Sequence, residues 1–223
     1  MTMTKSESYR RSAGKEQAAL SVARRFFDEV VGLPTEVVTD KWENILCGDL
    51  RFRSGLYAEC KGQPIDPYKY DRNFVEVCER TDNPALVGGM GSLASLLGMT
   101  IEDLVSTRVT HPSGLHSEFG YHALLHNSLE SISCSRVTLY VNSDAGHVYA
   151  YGRNEIIRVV SSAVRSSGMR RGAGNSHEDT YGALVDLPLM RWELSGGDWE
   201  YFGPTDGHWG AARIASVLDD AQD

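Results

Sequence analysis

The 223-residue chain is poor in cysteine, in long apolar runs and in positive charge, and each shortage excludes something. Its four cysteines, Cys47, Cys60, Cys78 and Cys134, form no C-x-x-C pair, and each falls in or beside a strand-like run. The expected state is free buried thiols in a reducing cytoplasm. The longest apolar stretch, Ala85–Met99, is interrupted by Gly88, Gly89, Gly91 and Ser92 and falls short of the roughly 20 residues of a membrane-spanning helix, so no membrane partner is expected. The segment Met1–Gln17 is polar and basic, without the apolar centre of a secretory signal. Twenty-two Lys and Arg against 30 Asp and Glu leave a net charge of −8, which argues against a generic basic nucleic-acid coat. That charge is unevenly spread. Residues 1–25 carry six basic side chains against two acidic ones, and residues 196–223 carry six acidic ones against Arg213. More than half of the negative charge belongs to the C-terminal segment, so the average says little about any one face.

What is present is an ordinary globular composition, with 41% apolar residues and 22 glycines, in the length range of a single domain. Residues 1–13 read as a flexible basic arm and 14–223 as one α/β domain with a mixed sheet, ending in the acidic segment 196–223. The apolar spacing predicts a helix over 14–31, with Leu20, Ala23, Phe27 and Val30 on one stripe, stopped by Gly32-Leu33-Pro34. A short strand over 35–39, a hairpin over 49–61 and a strand over 72–79 follow. Helices are expected over 85–107, 118–131 and 154–166, the last capped by Asn154. Strands are expected over 137–141 and 147–151, joined by the Asp144-Ala145-Gly146 turn, and over 183–194, interrupted by Pro188. Residues 167–180 read as a Gly-, Arg- and Ser-rich loop.

The hairpin carries the chemistry. With Arg53-Ser54-Gly55 as a three-residue loop, Phe52 pairs with Leu56, Arg51 with Tyr57, Leu50 with Ala58 and Asp49 with Glu59. Gly55 then stands where such a loop needs a left-handed residue. Leu50, Phe52, Leu56, Ala58 and Cys60 share one face, and Asp49, Tyr57, Glu59 and Lys61 the other. A two-residue loop would put Glu59 among the apolar side chains. Two carboxylates with Cβ atoms roughly 4.5–5.5 Å apart repel unless something neutralises them, and a hard divalent cation does so. Lys61, two residues beyond Glu59 on the same face, adds a point charge able to orient a water or offset charge on a phosphate.

Asp49 at the head of one strand and Glu59-Cys60-Lys61 on its hairpin partner resemble the PD-(D/E)xK nuclease superfamily, the restriction-endonuclease-like fold. Gly48 stands where the nominal motif has proline. Many members carry an acid on the preceding helix, and Glu16 fits, on the stripe 16, 20, 23, 27 and 30; Glu29 competes for that role, and Glu76 is a candidate extra acid. The resemblance implies a restriction-endonuclease-like mixed β-sheet flanked by helices, and a cytoplasmic, Mg2+-dependent DNA endonuclease in which Mn2+ substitutes. Asp49, Glu59 and the backbone carbonyl of Cys60 would hold the metal, Lys61 would be the catalytic cation, and a homodimer would follow if both strands of a duplex are cut. Arg24, Arg25, Arg170, Arg171 and Asn175 are candidate nucleic-acid contacts, because arginine pairs with phosphate and guanine and asparagine reads adenine.

Other readings stand beside this one. His116, His122 and His126 invite a zinc hydrolase, with His122 and His126 four apart on the expected helix, although the glutamate of H-E-x-x-H is missing. Gly88-Gly89-Met90-Gly91-Ser92 before a helix could cradle phosphate but matches neither the P-loop nor the dinucleotide fingerprint. A third possibility is a non-cleaving nucleic-acid-binding or assembly subunit with the same fold.

Overall fold

The computed structural model describes residues 5–62, 72–80, 89–123, 125–172, 180–187, 191–203, 212–216 and 218, with side chains from residue 14 onward except that of Ser131. Along the chain run α1 (Lys5–Phe26), a π-helical turn (Phe27–Val31), β1 (Thr35–Val37), α2 (Lys41–Cys47), β2 (Leu50–Phe52), β3 (Tyr57–Gly62) and β4 (Arg72–Arg80). Then come α3 (Gly89–Leu97), α4 (Ile101–Val105), β5 (Arg108–Thr110), β6 (His116–Glu118), β7 (Leu125–His126), α5 (Ser128–Cys134), β8 (Val137–Asn142) and β9 (His147–Gly152). The chain continues through α6 (Arg153–Ser167), β10 (Met169–Arg171), β11 (Thr180–Asp186), β12 (Arg191–Ser195) and β13 (Asp198–Phe202). The class is mixed α/β, with two mixed sheets where the sequence suggested one. They belong to two compact units, Met1–Tyr70 with Cys134–Arg153 and Pro188–Asp223, and Asp71–Ser133 with Asn154–Leu187.

The first unit holds a seven-stranded sheet in the order β1-β2-β3-β8-β9-β12-β13, antiparallel except for the parallel β3–β8 pair. Its register sorts side chains into two unlike faces, since successive residues of a strand point to opposite sides. One face is the apolar core: Leu50, Phe52, Ala58, Cys60, Val137, Leu139, Val141, Val148, Ala150 and Trp192 cluster with Ala19, Ala23, Phe26 and Phe27 and with Ile214 and Leu218. The other face carries Glu59, Lys61, Thr138, Tyr140, Tyr149, Tyr151, His147, Arg191 and Glu193. Both central strands, β8 and β9, are buried along nearly their whole length. Long apolar alternation on one side and aromatic or hydroxyl side chains on the other explain how a strand can be covered twice without reading as a continuous apolar run.

Several local expectations change. The supposed arm is helical from Lys5, in keeping with the helix-favouring Lys, Arg, Glu and Ala content of 5–18. The buried stripe of α1 is Ala19, Ala23 and Phe26, continued by Phe27; Glu16, one turn earlier on the same stripe, is exposed. The helix expected over 118–131 shrinks to α5, because Gly120 takes a left-handed φ of 78° and Asn127 opens the helix by accepting from the Glu130 N–H. The helix expected over 85–107 is two, broken at Gly98 (φ 62°) and restarted by the Thr100 cap. Asn154 lies inside α6, which begins at Arg153, and residues 169–171 of the expected loop form β10. The single strand expected over 183–194 is two, β11 in the six-stranded sheet of the second unit (order β6-β5-β10-β11-β4-β7) and β12 in the first.

One short helix escaped the sequence reading and matters for the site. Asp40 caps α2, its Oδ1 accepting from the N–H groups of Trp42 and Glu43 at 3.0 and 2.9 Å. Asp40→Ala is expected to cost about 1 kcal/mol of stability in a urea titration, the ordinary price of a lost N-cap.

Candidate active site

The hairpin folds in the register that its apolar residues dictate. Leu50 pairs with Ala58 and Arg51 with Tyr57, the Phe52 N–H donates to the Leu56 carbonyl at 2.8 Å, and Gly55 closes the loop with φ 85°. The ladder then stops one pair short of Asp49 and Glu59. Gly48 leaves the strand direction (φ 130°), and there is no room for a side chain there: a Cβ would lie 2.5 Å from Ser135 Oγ and 3.0 Å from the Ala58 carbonyl oxygen. This accounts for glycine at the position where proline was expected.

With the β2 backbone turned away, the Asp49 side chain takes over its hydrogen-bonding role. Oδ2 accepts the Cys60 N–H at 2.8 Å, where a carbonyl of β2 would otherwise have served. Oδ1 accepts from Asn44 Nδ2 at 2.9 Å. Helix α2 is itself pinned to the hairpin, because Glu43 Oε1 accepts from the Tyr57 hydroxyl at 2.6 Å and pairs with Arg51 Nη1 at 3.0 Å. Asn44 is a site residue that the sequence reading missed. The signal for it was Asp40-Lys41-Trp42-Glu43, an N-cap followed three residues later by glutamate.

Glu59 is buried, with its side chain 7% exposed, and Lys61 Nζ lies 2.5 Å from Glu59 Oε1, with the Lys61 side chain 39% exposed. A buried carboxylate needs such a counter-charge. The Cys60 side chain turns into the core between them. Burial, then the charges of Asp49 and Glu59, push its thiol well above the usual range, so only its backbone is available to a ligand. The N–H and C=O of one strand residue project to the same edge, which places the Cys60 carbonyl on the side that Asp49 occupies. Burial also raises the Cys78 thiol, whereas Cys134 is exposed. Iodoacetamide should therefore label Cys134 first in the native protein and spare Cys60 and Cys78 until denaturant is added, as read by mass spectrometry.

The supporting acids separate. A Cβ on Gly62 would sit 3.1 Å from the Ala19 Cβ and 4.0 Å from the Glu16 Cα, so α1 runs beside the end of β3 at Glu16. It does so on the core-facing side, with the Glu16 side chain exposed, whereas Glu59 and Lys61 rise from the opposite face. Glu16 therefore ends the core-facing stripe as expected, but it is exposed there rather than buried. Glu29 is engaged elsewhere: Arg25 donates to both of its oxygens at 2.9 Å and Trp199 Nε1 donates at 2.8 Å, which together hold its carboxyl below the usual range. Glu76 belongs to the second unit, where the Ser128 hydroxyl donates to it. Among the described residues no three His, Cys, Asp or Glu side chains form a metal-holding group. Asp49 and Glu59 are the acids that the hairpin itself supplies, and the charge of Glu16 also reaches the Cys60 thiol.

The candidate nucleic-acid contacts fall in both units. Arg25 is clasped by Glu29, while Arg24 takes part in no ion pair among the described residues and lines a groove of about 460 Å³ with Gln17, Ser21 and Thr35. Arg170 is exposed and Arg171 half-buried on β10; Asn175 lies outside the described residues. The histidines do not converge as a zinc reading requires. His122 stacks against Phe119 and Tyr181, His116 Nδ1 meets the Thr110 hydroxyl at 3.2 Å, and His126 sits on β7 opposite Glu79.

No family model matches the chain, and no curated protein or solved structure is found to be similar to it. No described helix is long and apolar enough to cross a membrane.

Proposed function

We propose that this protein is a divalent-cation-dependent DNA endonuclease of the PD-(D/E)xK kind. The observation that carries the reading is the Asp49 carboxylate docked on the Cys60 N–H, which sets a second acid beside the buried Glu59–Lys61 pair at the end of the hairpin. The donor set suits magnesium, which binds through one or two carboxylates and otherwise keeps its water. Each Asp49 oxygen accepts a single described hydrogen bond and keeps a lone pair for a cation. Thr138 Oγ1, next to Glu59 in the β3–β8 register, is buried without a hydrogen-bond partner among the described residues, the kind of orphaned polar atom that marks a ligand's place.

In this reading Asp49, Glu59 and the Cys60 carbonyl hold the cation, and Asn44 fixes Asp49. The bound ion supplies Lewis acidity and a more acidic water for in-line attack on the phosphodiester. Lys61, on an exposed stem, offsets charge on the phosphate oxygens. Arg24, Arg170 and Arg171 contribute phosphate contacts, which makes binding salt-sensitive. A homodimer supplies the second site that duplex cleavage needs. The test is incubation of plasmid, branched and modified DNA with magnesium or manganese, with EDTA as control. Cation-dependent nicking or linearisation supports the reading; intact DNA under all conditions, with retained binding, replaces it by a non-cleaving nucleic-acid subunit.

A further inference from the structure

Thr138 raises a separate question. Its side chain is 1% exposed and its hydroxyl has no hydrogen-bond partner among the described residues, an arrangement that costs free energy. It is the cross-strand neighbour of Glu59 on β8 and points to the same face of the sheet. Glu59 meanwhile spends Oε1 on Lys61 at 2.5 Å. A cation approaching Glu59 meets that ammonium as a competitor of like sign, and both cannot sit against the same oxygen. Resting on the cation-site reading above, we infer that Glu59 exchanges partners when a divalent ion binds: it gives up Lys61 and takes the hydroxyl of Thr138.

The exchange gives each group a role. The Thr138 O–H donates to the Glu59 carboxylate and fixes its orientation toward the cation, acting as a positioning residue in the way that outer partners orient metal ligands. Lys61, having left Glu59, turns its partly exposed stem toward a phosphate. Cation and phosphate binding then reinforce each other, since each favours the state in which Lys61 has left Glu59.

The test is calorimetric titration of Mn2+ and Mg2+ into the full chain and its Thr138→Val, Thr138→Ser and Lys61→Met variants, with thermal unfolding of each in EDTA. Thr138→Val is expected to bind the ions about tenfold more weakly, to unfold in EDTA no earlier than the parent, and to be rescued by serine. Lys61→Met is expected to bind them about fivefold more tightly, because the internal competitor is gone. Unchanged affinity in Thr138→Val, or unchanged or weaker affinity in Lys61→Met, overturns the exchange while leaving the cation site standing. Earlier unfolding of Thr138→Val in EDTA overturns it as well, by showing that the hydroxyl serves the cation-free fold. If the parent chain binds neither ion, the cation site and the exchange fall together.

Discussion

Lys61→Ala and Asp49→Ala should each lower magnesium-dependent DNA cleavage by at least about 10²–10³-fold, the usual cost of losing a charge or donor aimed at the reacting group. The two losses have different origins. Lys61 stands on a partly exposed stem as the counter-charge of the buried Glu59, so its removal strips that carboxylate of its partner as well as deleting the cation proposed to face the phosphate. Asp49 is also structural, because it accepts the Cys60 N–H and the Asn44 amide. Asp49→Asn separates these roles: its carbonyl oxygen can still accept from Cys60, while the charge is lost. Asparagine at 49 should therefore unfold like the parent yet cleave as poorly as alanine. Initial rates of supercoiled-plasmid nicking, with urea titration of each variant, provide the check, and cleavage undiminished in both Lys61→Ala and Asp49→Asn would end the assignment of this site.

Trp192→Ala is expected to destabilise the first unit by about 3–5 kcal/mol, the range for removing a large buried aromatic. Trp192 is 1% exposed and packs against Phe26 at 4.9 Å and Tyr201 at 5.1 Å between ring centroids. It thus ties α1 and β13 to β12, and Phe26 reaches Trp199 at 5.6 Å from the same cluster. Denaturant midpoints followed by circular dichroism would show the loss; a change below about 1 kcal/mol would mean that the cluster collapses to fill the space. Trp192→Phe should recover part of it, since a smaller ring still meets Phe26.

The hairpin was legible because one residue of slip would have exchanged its faces. Leu50, Phe52, Ala58 and Cys60 admitted one loop length, and the observed register follows it. The strands over 137–142 and 147–152 were equally plain, with a turn of the right chemistry between apolar runs. The breaks were harder to see. Residues 183–194 look like one apolar strand, yet β11 and β12 join different sheets, a decision made by distant partners. Likewise 118–131 carried enough apolar residues for a helix, and the left-handed Gly120 was the overlooked stop. At the site, Asp49, Glu59 and Lys61 could be named from spacing, whereas Thr138 could not. Its relation to Glu59 exists only through parallel pairing with a strand far along the chain. Glu16 was placed on the right stripe of α1, where Ala23 and Phe27 are buried, but spacing could not tell that the stripe becomes exposed one turn before Ala19.

The parallel β3–β8 pair has a kinetic consequence. It joins Ala58–Gly62 to Val137–Val141, so the chain must close a long loop before Glu59 gains a neighbour on that side. Pairings of such separation form late and slowly. Residues 1–70 contain every acid and the lysine of the motif, but a fragment ending there has no β8 to shelter Glu59. During synthesis the motif leaves the ribosome well before the strand that completes it, and the site matures only after that strand has docked.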